Sequence, residues 1–161
     1  MFQNILVCVD GSRQADGALS QAIDLAQSEN SRLTLLTAVS RPPSWANTPI
    51  GGPGVNPTGP ELLHEADHTL RAAVDRVPSS IPVTTILSED PIREALIDRI
   101  HSGDHDLVVL GTRGRGALSA AVLGSVSHYA LNHCDVPVLI VRTEGEDEAE
   151  PEMPMEAAAA A

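Results

Sequence analysis

The stretch Ile5-Leu-Val-Cys-Val9-Asp10-Gly11-Ser12 decides the fold. Ile5–Val9 is apolar without alternation and rich in β-branched residues. It reads as a strand buried on both faces, the kind found in parallel sheets covered by helices. Asp10-Gly11-Ser12 stops the strand. Apolar residues then recur at Ala15, Ala18, Leu19, Ala22, Ile23 and Ala26, the spacing of a helix with one face for a core.

The same alternation continues outward. Leu33–Val39 reads as a second strand. Arg41–Pro60 holds six Pro and four Gly in twenty residues, so no regular element is expected there. A loop of that length in a compact domain is usually an insertion or a functional loop. Its Trp45 reads as a surface anchor more readily than as the cap of a pocket. Leu62, Leu63, Ala66, Leu70, Ala73, Val74 and Val77 describe a second helix. Val83–Leu87 is a more polar strand, placed nearer an edge. Asp90-Pro91 supplies an N-cap and a first-turn proline for a helix carrying Ile92, Ala95, Leu96 and Ile100. Leu107–Leu110 is a further buried strand. A glycine-rich stretch, Gly111–Gly124, leads into a helix over Ser125–His133, and Val136–Val141 is the last strand. The order predicts an α/β domain: a single open, mostly parallel five-stranded sheet, flanked by helices in three layers and joined by right-handed crossovers.

Composition narrows the function. The chain has 161 residues, enough for one domain, and a formal net charge of −12. All ten basic residues are Arg. Without Lys there is neither a Walker-type P-loop nor Schiff-base chemistry. The aromatic residues are Phe2, Trp45 and Tyr129, too few for a base-stacking platform. Net negative charge disfavours nucleic acid and anionic membrane surfaces. Much of that charge is local: residues 144–156 hold seven acids and no base, leaving 15 acids against 10 Arg, or −5, elsewhere. The expected organisation is a domain over 1–143 and a solvated acidic, Ala-ending tail over 144–161, with a protein-binding role for the tail as the other option. Cys8 and Cys134 make no disulfide framework and read as small core residues. No signal-peptide pattern and no membrane-length apolar run is present, so the expected location is cytoplasmic. His64 with His68, and His101 with His105, have the i, i+4 spacing of helical metal ligands. Neither pair has a third ligand, so solvated helix surface is the better reading and no metal site is expected.

In open α/β sheets ligands bind beyond the carboxyl ends of the strands, at the switch point. Asp10-Gly11-Ser12, Val39-Ser40 and the glycine-rich stretch all fall there. The last reads Gly111-x2-Gly114-x9-Gly124-Ser125. Glycines let main-chain N–H groups converge on an anion, although three glycines alone would equally make a tight loop. Gly124-Ser125 opens a helix whose free N–H groups favour phosphate, with Ser125 and Ser127 as hydroxyl donors and Arg113 and Arg115 as bidentate partners. The position after a buried strand and before a Ser-opened helix favours an anion site.

These residues resemble the universal stress protein family over about 2–142. The likeness rests on Ile5–Ser12, Asp106-Leu-Val-Val-Leu-Gly-Thr-Arg-Gly-Arg-Gly116, Leu123-Gly-Ser-Val-Ser127 and Cys134-Asp-Val-Pro-Val-Leu-Ile-Val141. The glycine motif matches that family's nucleotide pattern, G-x2-G-x9-G followed by Ser or Thr, and resembles its ATP-binding branch, on an adenine nucleotide alpha hydrolase-like fold. The resemblance implies that Asp10 contacts adenine or ribose beside the backbone near Cys8, and that Val39 meets the adenine edge through its main chain. Gly111, Thr112, Arg113, Gly114, Arg115, Gly116 and Ala117 would wrap ribose and phosphates, with Gly124, Ser125, Val126 and Ser127 on the outer phosphates. It implies ATP, or else AMP or ADP, accompanied by Mg²⁺, and a homodimer paired through strand 136–141. An apolar strand ending the fold points to the same edge, because an exposed apolar edge invites pairing. The expected function is a dimeric, ATP-binding stress-response regulator with an unidentified protein partner. No residue is placed as a base or water-orienting group for hydrolysis. A slow ATPase or autophosphorylating enzyme, and a nucleotide-free dimeric scaffold, are the alternatives.

Overall fold

The computed structural model describes residues 1–39, 59–103, 105–112 and 123–143. The elements, in chain order, are β1 (Asn4–Cys8), α1 (Arg13–Glu29), β2 (Arg32–Ala38), α2 (Gly59–Asp75), β3 (Val83–Ser88), α3 (Ile92–Ser102), β4 (Leu107–Gly111), α4 (Ser125–His133) and β5 (Val138–Val141). The five strands form one sheet in the order β3-β2-β1-β4-β5. Every pairing is parallel, with Ile5 opposite both Leu33 and Leu107.

Two apolar layers sandwich the sheet. On one face Ile5, Val7, Leu33 and Leu35 pack with Leu19 and Ala22 of α1 and Leu70 and Ala73 of α2. On the other, Leu6, Leu36, Val108 and Leu110 pack with Ala95 and Leu96 of α3 and Ala130 of α4. Successive strand residues point to opposite faces, and burial of both is why the β1 and β4 sequences show no polar alternation. The helix after β1 covers one face and the helix after β4 the other. The switch point therefore lies between these two central strands.

Close approaches fix the helices. Gly17, in the middle of α1, has a place for a side chain already filled by the Thr143 methyl beyond β5. A helix glycine costs about 1 kcal/mol relative to Ala, and here it admits the chain past β5. Arg76 clamps α2 to α1, donating to Asp16 Oδ1 at 2.7 Å and Ser20 Oγ at 2.9 Å. Asp106 accepts the Gln3 and Asn4 amides at 2.7 and 3.1 Å, anchoring the start of β1.

Several expectations need correction. Helix α2 begins at Gly59, so the last two residues of the Pro/Gly-rich stretch are helical, Pro60 being tolerated in the first turn where no intrahelical donor is needed. Pro91, not Asp90, is the N-cap of α3: its carbonyl accepts the Ala95 amide at 3.0 Å, while Asp90 N–H donates to Ser88 Oγ. Gly103 ends α3 in extended backbone, so His105 leaves the helix. It bridges Thr34 Oγ1 at 3.0 Å and the Arg99 carbonyl at 3.3 Å, and shares no helical face with His101. Strand β5 begins at Val138, two residues later than read. Both edges match their sequence character: β3 exposes Thr84 and Thr85, and β5 is apolar and half-buried throughout. Trp45, the 41–58 part of the Pro/Gly-rich stretch and the 144–161 tail lie outside the described residues.

Candidate functional site

The carboxyl ends of β1, β2 and β4 converge on one rim. After β1, Gly11 turns the chain at φ +76°, which glycine adopts without steric cost. The turn lets Asp10 Oδ1 accept both the Ser12 amide at 3.0 Å and the Ser12 hydroxyl at 2.6 Å. Ser12 Oγ in turn accepts the Ala15 amide at 3.2 Å, which makes it the N-cap of α1. Asp10 thus sits half-buried on the rim, held in orientation by the residue that caps the following helix. Cys8 packs beneath it, half-buried against the α3–α4 core layer. Burial, together with the negative charge of Asp10 and the neighbouring Cys134, pushes the Cys8 thiol up to about 12. It therefore meets the rim as a neutral, soft, apolar group and not as a nucleophile.

At the end of β2, Val39 is buried and its N–H donates to the carbonyl of Ser88, the last residue of β3, at 2.9 Å. A ligand meeting Val39 through its main chain therefore meets the carbonyl, an acceptor suited to an amino group.

The end of β4 is built differently. Gly111 is fully enclosed: a Cβ there would come within 2.6 Å of the Gln14 backbone in α1. The first glycine of the motif thus serves close helix–strand packing. The next amide, on Thr112, donates to the Val141 carbonyl at 3.0 Å and locks β4 to β5. The Thr112 carbonyl accepts the Gly124 amide at 2.7 Å, which brings the start of α4 onto the strand end. Ser127 Oγ, from the first turn of α4, donates to the Gly111 carbonyl at 2.7 Å in a buried bond. Gly124 is the N-cap of α4 and supplies no side-chain cap, so among the described residues no side chain caps the first-turn amides. Ser125 is exposed beside them. Among the described residues, Thr112 Oγ1 is a buried hydroxyl with no hydrogen-bond partner. An uncapped helix start next to an unsatisfied hydroxyl suits an anion, because amide dipoles and helix dipole add there.

Of the residues read from the sequence, Cys8, Asp10, Val39, Gly111, Thr112, Gly124, Ser125, Val126 and Ser127 come together on this rim or directly beneath it. Arg113, Gly114, Arg115, Gly116 and Ala117 lie outside the described residues. Sequence reading missed Gln14, whose backbone presses on Gly111, and Ser88, whose carbonyl takes the Val39 amide. Neither carries a motif, since each contributes main-chain atoms. Among the described residues no group of three or more His, Cys, Asp or Glu could hold a metal ion, and no helix is long and apolar enough to cross a membrane.

The family model of the universal stress protein family matches residues 1–142. The chain belongs to this family. A curated relative from Thermus aquaticus, a universal stress protein in a sulfhydrylase 3′ region, is 30% identical over 142 residues, covering 88% of this chain and all of the relative. A solved universal stress protein in complex with cAMP is 25% identical, covers 87% of this chain and 97% of its own, and superposes with a TM-score of 0.61. A family protein from Arabidopsis thaliana with AMP bound shares the fold at 13% identity, covering 93% of this chain and 97% of its own with a TM-score of 0.63. The five-stranded parallel sheet with its four helices is the family's α/β fold.

Proposed function

We propose that this chain binds an adenine nucleotide on the rim between β1 and β4 and acts as a dimeric regulator in a stress response. The observation that carries the reading is the start of α4, uncapped among the described residues, beside a Thr112 hydroxyl that has no partner among them, at the switch point of the sheet. Two family members of the same fold, one in complex with cAMP and one with AMP bound, support the ligand class. Asp10 would hold the ribose or base, oriented by Ser12. The Val39 carbonyl would accept the adenine amino group. The amides of Ser125 and Val126 and the Ser125 hydroxyl would take phosphate oxygens, joined by Thr112, Arg113, Gly114, Arg115, Gly116 and Ala117. In the absence of Lys, backbone amides, hydroxyls and Arg supply the phosphate contacts. ATP with Mg²⁺ is the proposed ligand, because the motif spacing is that of the ATP-binding branch; the ion supplies charge neutralisation between phosphates.

The half-buried apolar edge at β5 supports a homodimer paired there, since an uncovered edge of this kind is an aggregation hazard. Residues 1–143 would form the binding unit, in the cytoplasm, with 144–161 as an acidic appendage. Calorimetric titration of the purified chain with ATP, AMP and inosine triphosphate tests the site. ATP is expected to bind and inosine triphosphate to bind at least tenfold more weakly, because its 6-oxo group faces the Val39 carbonyl. Gly114→Glu is expected to abolish binding, and Asp10→Ala to weaken it with the fold intact. Unchanged affinity in both variants refutes the site. A monodisperse monomer by light scattering at high micromolar concentration refutes the dimer.

A further inference from the structure

We infer that Ser127 is a positioning residue of the nucleotide site: its hydroxyl sets the aim of the α4 amides and does not itself touch phosphate. The inference rests on the nucleotide reading given above and refines it.

Ser127 is 3% exposed, and its Oγ donates to the Gly111 carbonyl at 2.7 Å. Its single proton is thereby used, so a phosphate oxygen, which only accepts, has nothing to receive from it. The bond has a partner in the Gly124 amide, which donates to the Thr112 carbonyl at 2.7 Å. Consecutive carbonyls at the end of β4 are therefore gripped by two points on α4, one before its first turn and one within it. Two bonds fix both the distance and the rotation of a short helix, where one would leave it free to swivel. What lies between the two grips is Ser125 and Val126, the residues whose amides point out of the uncapped end. The strand side is equally fixed, since Gly111 is wedged against Gln14 and Thr112 is bonded to Val141. The amides are thus referred to the central sheet through two bonds, of which the buried Ser127 hydroxyl is the one a side chain supplies. Preorganised donors gain more from an anion than donors that must first be ordered.

The test compares Ser127→Ala and Ser127→Thr with the unaltered chain, with and without nucleotide. Ser127→Ala leaves the buried Gly111 carbonyl unpaired. It is expected to lower the melting temperature of the ligand-free protein and to speed amide hydrogen exchange at Ser125–His128. It is also expected to weaken ATP binding about tenfold while leaving adenosine affinity unchanged. Ser127→Thr keeps the hydroxyl and is expected to restore amide protection and ATP affinity together. A loss of ATP affinity with ligand-free melting and exchange unchanged overturns the inference, because the hydroxyl would then meet phosphate directly. ATP affinity unchanged in Ser127→Ala also overturns it. If the unaltered chain binds neither ATP nor AMP, the nucleotide reading itself fails, and the inference falls with it.

Discussion

Two helices start at the switch point, and they start in opposite ways. Helix α1, after β1, is closed by its own chain: Ser12 caps it and Asp10 holds Ser12. Helix α4, after β4, has a glycine at the cap and spends its nearby serine on the strand behind it. The first arrangement is complete without a ligand. The second holds its amides in place and, among the described residues, gives them no side-chain cap. The difference teaches why α4 and not α1 is proposed as the binding end: at α4 the capping side chain is withheld while the backbone around it is locked.

The comparison breaks first at the point where the two starts touch. Gly111→Ala would push a methyl into the Gln14 backbone of α1. We expect destabilisation of about 3 kcal/mol, or roughly 10 °C in Tm by calorimetry. A variant that melts like the parent would mean that α1 does not press on β4.

Making the open start resemble the closed one is the next test. Gly124 has φ −61° and ψ 154°, which any residue adopts, so Gly124→Asp places a capping carboxylate on α4 without strain. Ligand-free stability is expected to rise by about 0.3 kcal/mol. ATP affinity is expected to fall about 30-fold, roughly 2 kcal/mol, as a fixed negative charge competes with phosphate. Unchanged affinity in titration would break the contrast between the two ends.

Opening the closed start is the converse. Ser12→Ala removes the α1 cap, and urea denaturation is expected to show a loss of about 1 kcal/mol. Nucleotide affinity should fall only through the looser Asp10.

A pH-dependent effect concerns the thiol under the closed start. Folding raises the Cys8 thiol from its ordinary 9.0 to about 12, so the folded protein holds the proton more tightly than the unfolded chain. Its contribution to stability is complete below pH 9 and declines as pH rises through 9 toward 12. Chemical denaturation at pH 8 and pH 10 should show that decline in the parent and a smaller one in Cys8→Ala. Cys8 should also resist alkylation at pH 8 until the protein is unfolded.

Strand and helix identity was legible wherever burial stamps a period on the sequence. Ile5–Val9 and Leu107–Leu110 carry the unbroken apolar runs of two-faced burial, and the Ala15–Ala26 pattern marks α1. Ends were harder, because they depend on a single carbonyl. At α3 the deciding acceptor is the Pro91 carbonyl, which no side-chain preference reveals. Gly59-Pro60 looked like loop because composition over twenty residues outweighed the tolerance of a first turn for Pro. Around the proposed site, Gly111, Gly124 and the Ser-opened helix were readable, while Gly114 lies outside the described residues. The division of labour was not. Gly111 is explained by Gln14, far from it in sequence, and Ser127 reaches a carbonyl sixteen positions back.

The strand order has a consequence for the order of assembly. Strands β1, β2 and β3 pair with near neighbours in sequence, although one face of β1 and β2 is covered only when α3 and α4 are in place. Pairing β1 with β4 closes a chain loop in which Asn4 meets Asp106, 102 positions away, at the amino ends of the two strands. Long-range closures of this kind are entropically expensive and come late in folding. A growing chain therefore carries Asp10 and the α1 sequence well before Gly111, Gly124 and Ser125 have been synthesised to complete the rim. The proposed competence to bind would, on this topology, be among the last properties the molecule acquires.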